Sequence, residues 1–468
     1  MFWLLDTIYL LVILFTSPIW VTRLLLQRQK YRHGWAEKLL GLVPRRNPVK
    51  PCLWFHAVSV GEVNLLGPLL AELRRRFPQY EIVLSTTTQS GMDVARKKYP
   101  DLLVFFCPMD FSWAVRRAMR RIQPELLVLT ELELWPNLIR AANECGAAVA
   151  VVNARLSDRS FRGYRWVRWF FRKILRRIAL VASQDATTAQ RFMELGAPAS
   201  HVVVTGSLKF DGTEFDRNNE ATRRFRRLAQ LTDDDIVFLA GSTQKEEELL
   251  AIQVYKELVG EFPQLRLIVV PRHPERFPEV AEMLERSGLP WRRRSQLADP
   301  TDAERSRPVP SKHSSEEVSP QRDETPACRF SIEKPIILVD TVGELSAWWG
   351  TAQIALVGGS FGSRGGQNML EPAGYGAAVC FGPNTWNFRD IVAHLLKADA
   401  AVVVHNIDEL RQFIRRCLED PQYGAALGAN ARNLILAHRG ATQKTADRLQ
   451  KLLEPSHVVI LQRNRQSA

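Results

Sequence analysis

The chain has 468 residues, 46% of them hydrophobic, which is enough for two domains with separate cores and excludes a small scaffold held by disulfides or metal. Six cysteines without a CxxC pair and nine histidines without ligand spacing predict reduced thiols and no structural metal. The net charge of +13 favours an anionic partner, which is nucleic acid, a membrane surface or an acidic substrate.

The amino terminus favours the membrane. Residues 2–21 are almost wholly apolar and are followed by Arg23, Arg28, Lys30 and Arg32. A helix of this length spans about 30 Å, roughly one hydrocarbon core. The run lacks a basic start and a cleavage site, so it predicts a retained single-pass anchor with the basic cluster and the domains that follow in the cytoplasm. An amphipathic helix lying in the interface is the alternative.

Strands and helices alternate from residue 51 onward. A helical stretch covers residues 65–76, and short apolar runs that predict strands lie at residues 53–56, 82–84, 102–106, 126–129 and 147–152. This alternation predicts a parallel, doubly wound sheet, in which ligands gather at the carboxyl ends of the strands.

Three glutamates follow strands of this domain. Glu62 stands just after the first strand at a helix start, where the helix dipole favours the ionised form that a general base needs. Glu131 and Glu133 follow the strand at residues 126–129 and precede another helix. Each could instead be a first-turn glutamate that stabilises its helix; their shared position at strand ends favours a site.

Residues 155–177 contain nine basic residues interleaved with six large aromatic ones. This mixture fits the boundary between lipid headgroups and acyl chains, or else an amphipathic helix with an aromatic core face. Since no helix-turn-helix, zinc or RNA-binding signature accompanies it, we expect no nucleic-acid partner.

A second set of strands follows a polar connection and lies at residues 236–240, 265–270, 336–339 and 354–357. Arg272, at the end of one strand, could pair bidentately with a phosphate. Gly358, Gly359, Gly365 and Gly366 follow the last strand, so its loop can approach a ligand closely. Asn368 is a suitable N-cap for the next helix. Glu371 has only acceptor oxygens when it is ionised, so it suits hydrogen bonds from sugar hydroxyls better than contact with phosphates. The alternative is a plain strand-to-helix turn whose glycines serve packing.

These patterns divide the chain into five segments, two of them domains. They are an anchor with its basic segment (1–46), a first Rossmann-like domain (47–211), a connection (212–235), a second Rossmann-like domain (236–440) and a helix with a tail (441–468). Within the second domain, residues 292–334 are rich in Ser, Pro, Arg and Glu and predict a disordered insert.

The order of several motifs resembles the 3-deoxy-D-manno-octulosonic acid (Kdo) transferases of lipopolysaccharide assembly, which are membrane-bound glycosyltransferases of the GT-B fold. The motifs are residues 56–62, 130–137, 153–157, 206–211, 271–277 and 358–373. The resemblance implies an α/β fold with two Rossmann-like, doubly wound domains facing a cleft, CMP-Kdo as donor and a phosphorylated lipid A precursor as acceptor. The sequence departs from the family at Gln244, Arg364 and Gln367, where histidines are usual, which puts in doubt the contacts of those loops.

The resemblance also assigns roles to individual residues. It implies that Glu62 is the general base and that Glu131 and Lys209 stabilise the transition state. The implied nucleotide contacts are Pro271, Arg272, Gly343, Glu344, Leu345, Asn368, Met369, Leu370 and Glu371.

We therefore expect an inverting glycosyltransferase at the cytoplasmic face of the inner membrane that needs no metal or other cofactor. Fixed positive groups would offset the charge of the leaving phosphate. Two alternatives remain open at this point. One is a transferase of the same fold that uses a UDP-sugar, and the other is a catalytically inactive, membrane-associated nucleotide-sugar binder.

Overall fold

The computed structural model describes residues 5–7, 9–17, 34–297 and 334–454. They form two compact units, the first comprising Met1–Gly212 with His438–Ala468 and the second Thr213–Ala437. Each unit is built on a seven-stranded sheet in which all strand pairs are parallel. The predicted class, α/β with two doubly wound domains, is confirmed.

The first unit follows the predicted alternation of strands and helices. It also has two strands that were not predicted, β6 and β7. Its strands are β1 (Cys52–His56), β2 (Glu81–Thr86), β3 (Leu103–Phe106), β4 (Leu126–Thr130), β5 (Ala148–Ala154), β6 (Leu180–Ser183) and β7 (Val202–Val204). Its helices before residue 212 are α1 (Trp35–Leu40), α2 (Val60–Leu65), α3 (Gly67–Arg76), α4 (Gln89–Lys98), α5 (Ser112–Ile122), α6 (Pro136–Glu144), α7 (Asp158–Trp166), α8 (Arg168–Leu175) and α9 (Ala186–Glu194).

The strand order of this first sheet is β3-β2-β1-β4-β5-β6-β7. Both faces are covered by buried apolar clusters, one around Trp54 and Phe105 and the other around Phe55 and Leu84. Burial on both faces explains why the strands are continuous apolar runs. The chain moves outward from β1 to β3 and returns to β4 on the other side of β1, so the crevice between β1 and β4 is the topological switch point where such sheets bind ligands.

The second unit repeats this plan. Its strands are β8 (Ile236–Thr243), β9 (Leu265–Pro271), β10 (Trp291–Arg293), β11 (Ile336–Leu338), β12 (Ile354–Val357), β13 (Ala378–Phe381) and β14 (Ala401–Val403), in the order β10-β11-β9-β8-β12-β13-β14. Its helices are α10 (Glu220–Leu228), α11 (Lys245–Leu258), α12 (Phe277–Ser287), α13 (Leu345–Trp349), α14 (Leu370–Gly374), α15 (Arg389–Lys397), α16 (Ile407–Glu419) and α17 (Pro421–His438). The switch point here lies between β8 and β12.

The predicted connection packs within the second unit, and the last helix packs within the first. The predicted connection contains α10, whose Phe225 stacks on Trp348 with ring centroids 4.5 Å apart, so most of this segment belongs to the second unit. The last helix, α18 (Ala441–Leu453), returns to the first unit, where Asp447 pairs with Arg76 of α3 at 2.6 Å.

The predicted anchor lies partly, and the predicted insert mostly, outside the described residues. Residues 5–7 and 9–17 are helical, and the buried carboxylate of Asp6 accepts a hydrogen bond from the Ser112 backbone N–H at 2.9 Å. Among the described parts of the chain, no helix is both long and apolar enough to cross a membrane. Residues 298–333, most of the predicted insert, also lie outside the described residues. Its first residues, Arg292 and Arg293, belong to β10 and are therefore ordered.

Candidate active site

Three carboxylates meet at the switch point of the first sheet. β1 pairs directly with β4, so Glu62 after β1 and both Glu131 and Glu133 after β4 share one edge. The three carboxylates also interact electrostatically. Besides burial, the negative charges of Glu131 and Glu133 raise the pKa of Glu62. The position of these residues could be predicted from strand ends; their mutual influence could not.

Glu62 lies in the first turn of α2 and is held there by the preceding residues. Its Oε2 accepts a hydrogen bond from the Val58 N–H at 2.7 Å, and its Oε1 accepts one from the Ser59 hydroxyl at 3.1 Å. Each carboxylate oxygen has two lone pairs, so both can still accept a proton or a further hydrogen bond.

The position of Glu62 at a helix start predicts that its carboxyl stays ionised. The structure corrects this expectation, because burial raises the pKa of Glu62 to about 7, against the lowering effect of the Val58 N–H. The withdrawal of this carboxylate from water outweighs its hydrogen bonds from Val58 and Ser59. A pKa near the working pH suits a general base better than full ionisation with an ordinary pKa would.

Glu131 has a left-handed backbone, with φ of 59°, which is uncommon for any residue with a side chain. Its N–H donates to the Val152 carbonyl of β5 at 2.9 Å, which holds this conformation in place. Glu133 accepts a hydrogen bond from the Trp135 indole at 2.8 Å, and burial raises its pKa. Backbone strain of this kind costs about 1 to 3 kcal/mol and concentrates at functional sites.

His56, the first residue of the motif that ends at Glu62, has a structural role. It is fully buried, and its Nδ1 lies 2.9 Å from the Ser85 hydroxyl. Burial lowers the pKa of His56 to about 4, so the ring is neutral at physiological pH. Because it is sealed from solvent inside the sheet, it cannot exchange protons with a substrate.

Lys209 lies in the turn after β7, and Asn153 connects this turn to the carboxylates. The Asn153 Oδ1 accepts a hydrogen bond from the Leu208 N–H at 3.0 Å. Asn153 itself directly follows Val152, the residue bonded to Glu131. The structure thus brings Lys209 to the same edge of the sheet, which only the family resemblance had indicated.

Asn153 holds the turn that contains Lys209, a role that the residue patterns did not reveal. Its φ of 53° is again left-handed, at the point where the β5–β6 register shifts. An asparagine tolerates this conformation better than most residues do. Its sequence signal, a polar residue at the end of an apolar strand, is too common to be recognised without the fold.

The second unit places Arg272 and Glu371 together. Arg272 directly follows β9, and its backbone N–H donates to the Thr243 carbonyl at the end of β8. Burial raises the pKa of Glu371, while a hydrogen bond from the Asn368 side chain at 2.9 Å and the charge of Arg272 lower it. A cation and a carboxylate therefore flank one patch at the carboxyl edge of this sheet.

The helix after the Gly-rich loop is shorter and starts later than expected. α14 begins at Leu370, two residues past Asn368, and has five residues. The Asn368 Oδ1 does accept a hydrogen bond from the Leu370 N–H at 3.2 Å. A helix of one turn has little dipole, so its start attracts an anion only weakly.

The segment around Gly343, Glu344 and Leu345 can offer a nucleotide mainly its backbone. The Glu344 carboxylate makes two hydrogen bonds to the Arg294 guanidinium, both 3.0 Å long, and another to Thr341. Gly343 has φ of 95°, which a side chain would strain. The Glu344 side chain thus has partners that hold this loop in shape.

Comparison with known proteins assigns the family. Residues 29–212 match the model of the 3-deoxy-D-manno-octulosonic-acid transferases (kdotransferase). A 3-deoxy-D-manno-octulosonic acid transferase of Bordetella pertussis is 32% identical over 419 residues, which are 87% of this chain and 88% of that protein. The chain belongs to this family. A transferase of the same description from Haemophilus influenzae is 29% identical over 428 residues, 91% of this chain and 92% of that protein.

The solved structures agree at the level of fold. The UDP-GlcNAc 2-epimerase from Neisseria meningitidis has a TM-score of 0.53 at 12% identity, with 86% of this chain and all of that one covered. This likeness concerns the two-domain fold alone. Family membership itself confirms that the chain is a glycosyltransferase, as the motifs predicted.

In this Kdo transferase, the basic aromatic stretch resolves into two helices with a divided aromatic content. Phe161 and Phe171 are partly buried and pack against the core, whereas Trp166 and Trp169 are 86% and 65% exposed. Exposed arginines and Lys173 surround these two tryptophans. The aromatic core face of the second alternative is therefore present in Phe161 and Phe171. We call the exposed part of the stretch the α7–α8 surface.

Across residues 34–297 and 334–454 and the short described stretches before them, no three His, Cys, Asp or Glu side chains are grouped to hold a metal ion. Independence from metal remains a prediction, which a chelation assay can test.

Proposed function

We propose that this chain transfers Kdo from CMP-Kdo to a phosphorylated lipid A precursor, with inversion at the anomeric carbon and without a metal. The observation that carries the proposal is the environment of Glu62. In a member of the Kdo transferase family, a half-buried carboxyl whose pKa is raised to about 7 stands at the switch point of the first sheet. This is the protonation behaviour that a general base for a sugar hydroxyl requires.

In the proposed reaction, the acceptor oxygen attacks the anomeric carbon of Kdo as the bond from that carbon to the phosphate oxygen breaks. Glu62 takes the hydroxyl proton, and CMP leaves with the bonding electron pair. Val58 and Ser59 fix the carboxylate through the hydrogen bonds described above, so the base is oriented before the substrate arrives. Glu131 and Lys209, at the same edge, are proposed to stabilise the transition state.

The donor is proposed to bind at the carboxyl edge of the second sheet. Arg272 would meet the phosphate of CMP, and Glu371 would accept hydrogen bonds from hydroxyl groups. The other proposed contacts are Pro271, the backbone of residues 343–345, and residues 368–370. An arginine at this place supplies a fixed positive charge to the leaving phosphate, which is why no metal is needed in the proposal.

The α7–α8 surface is proposed to contact the membrane that contains the acceptor. Tryptophan side chains with a large exposed area favour the interfacial layer of a bilayer, and each basic residue near an anionic surface adds about 1 kcal/mol of attraction. Trp166 and Trp169, surrounded by arginines, combine both features. We propose a location at the cytoplasmic face of the inner membrane on this basis.

The proposal is tested by incubating the purified chain in detergent with CMP-Kdo and a tetraacyl disaccharide phosphate, with product mass as the readout. A mass increase by one or more Kdo residues is expected, and Glu62→Gln serves as the matched inactive control. Product from a UDP-sugar and none from CMP-Kdo would contradict the donor. CMP binding without any product from either donor would indicate an inactive binder.

A further inference from the structure

A buried carboxylate occupies the switch point of the second sheet. Glu247 lies in the first turn of α11, beside the loop that follows β12, and is 1% exposed. The crevice between β8 and β12 is the place where a parallel sheet ordinarily receives an anionic ligand. Neither the residue patterns nor the family motifs had singled out this side chain.

Four backbone N–H groups converge on the Glu247 carboxylate. Its Oε2 accepts hydrogen bonds from the N–H groups of Gly359 and Gln244, both at 2.8 Å. Its Oε1 accepts from the N–H groups of Ser360 at 2.8 Å and Phe361 at 3.1 Å. Residues 359–361 thus direct three successive N–H groups at one anion, which is the arrangement of an anion-binding nest.

The glycines of the loop are required for this contact. A Cβ atom at Gly358 would lie 2.7 Å from the Glu247 Oε2 and 2.5 Å from the Ser242 carbonyl oxygen. Gly359 has φ of 70°, which a side chain rarely adopts. The loop is therefore shaped around the carboxylate of its own chain.

We propose that Glu247 is a positioning and specificity residue of the donor site, which fills the nest of residues 359–361 and so restricts the donor to a single phosphate. This inference deepens the proposed function and rests on it. A diphosphate donor needs groups for a second phosphate, and the N–H groups at this switch point already have an anion. The fixed carboxylate also repels any further negative charge brought close to it.

Arg272 is a cation at this edge that can accommodate one phosphate. Arg272 follows β9, and its N–H is bonded to Thr243, two residues past Gly241, which pairs with β12. Its guanidinium can hold one phosphate bidentately.

A purely structural role for Glu247 is the competing explanation, because it also forms a capping box with Gln244. That role predicts lower stability without any change in the preference between nucleotides. The test therefore compares CMP with CDP, measured by calorimetry on the full chain in detergent. Wild type is expected to bind CMP at least tenfold more tightly than CDP; equal affinities would overturn the proposal before any variant is made.

Two variants then separate positioning from folding. Glu247→Gln replaces one acceptor oxygen with an amide that faces N–H donors, so KM for CMP-Kdo is expected to rise at least tenfold while KM for the lipid acceptor is unchanged. Glu247→Ala vacates the nest, and the ratio of CMP to CDP affinity is expected to fall at least tenfold. Glu246→Gln, an exposed neighbour on the same helix turn, is the matched control. Folded variants with wild-type ratios and KM values would overturn the proposal.

Failure of this inference is distinguishable from failure of the proposed function. Kdo transfer together with equal CMP and CDP affinities would leave the function intact and remove the role of Glu247. Strong preference for CMP without any transfer of Kdo would contradict the function and retain the inference about the phosphate.

Discussion

The pH dependence of Glu62 offers the sharpest test of the catalytic assignment. With its pKa raised to about 7, the carboxyl of Glu62 is protonated below neutral pH and cannot act as a base there. We expect kcat/KM to fall about tenfold per pH unit as the pH drops below 7 and to level off above about pH 8. A profile that stayed flat down to pH 5 would indicate a base with an ordinary carboxyl pKa.

Replacing Glu62 with Gln should remove this dependence together with most of the activity. General-base assistance contributes about 10² to 10⁴ in rate, so Glu62→Gln should lose at least a hundredfold in kcat. The amide retains the size of the side chain and an oxygen for the Val58 N–H, so CMP affinity should be unchanged. A variant with near-normal turnover would falsify the assignment, and Glu131 would be tested next.

Glu62→Gln is expected to lower activity but to raise stability at high pH, and this contrast is an internal check. Folding raises the pKa of Glu62 from 4.5 to about 7, so the folded state prefers the protonated carboxyl. Its contribution to stability is present below pH 4.5 and is lost as the pH rises through 7. The loss is at most about 3 kcal/mol, less whatever solvent screening removes at this partly exposed side chain.

Glu62→Gln cannot ionise, so it should be more stable than wild type at pH 8 and equally stable near pH 4. Thermal unfolding at the two pH values measures this difference. If the variant were less stable than wild type at pH 8, the carboxylate would be stabilised by its surroundings, and the raised pKa would be wrong. Glu246→Gln, exposed on the surface, should behave as wild type at both pH values.

Four further predictions concern the donor, the insert, the membrane and metals. Arg272→Ala should weaken CMP binding by about ten- to a hundredfold in calorimetry, whereas the exposed Arg292→Ala should not; equal binding would mean that the phosphate sits elsewhere. Replacing residues 299–332 with a short Gly/Ser linker should leave activity within a few-fold of wild type, and a protein that failed to fold would show that the segment packs. Exchanging Trp166 and Trp169 for Ser should reduce sedimentation with anionic vesicles but not turnover of detergent-dispersed acceptor; unchanged sedimentation would remove the α7–α8 surface from the membrane contact. Activity should survive EDTA, and a loss that added Mg²⁺ restored would contradict the metal-independent mechanism.

The sequence by itself determined the class of the fold and the edge of each sheet at which the site lies. Apolar runs of strand length mark β1, β4, β8 and β12 because strands covered on both faces must be apolar throughout. Polar residues directly after them, such as Glu62 and Arg272, could be recognised because parallel strands present all their carboxyl ends at one edge. The motif order then pointed to the family, which the comparisons confirmed.

Only the tertiary structure determines the pKa values of these groups and shows which of them already have hydrogen-bond partners. The pKa of Glu62 depends on burial and on charges nearly 70 residues away in the chain, and neither can be read from the residues around it. Glu247 is one of three consecutive glutamates, and its role appears only where the loop after β12, more than 100 residues later, directs its N–H groups at it. Sequence patterns report local periodicity and strand ends, whereas desolvation and long-range hydrogen bonds arise only after the chain has folded.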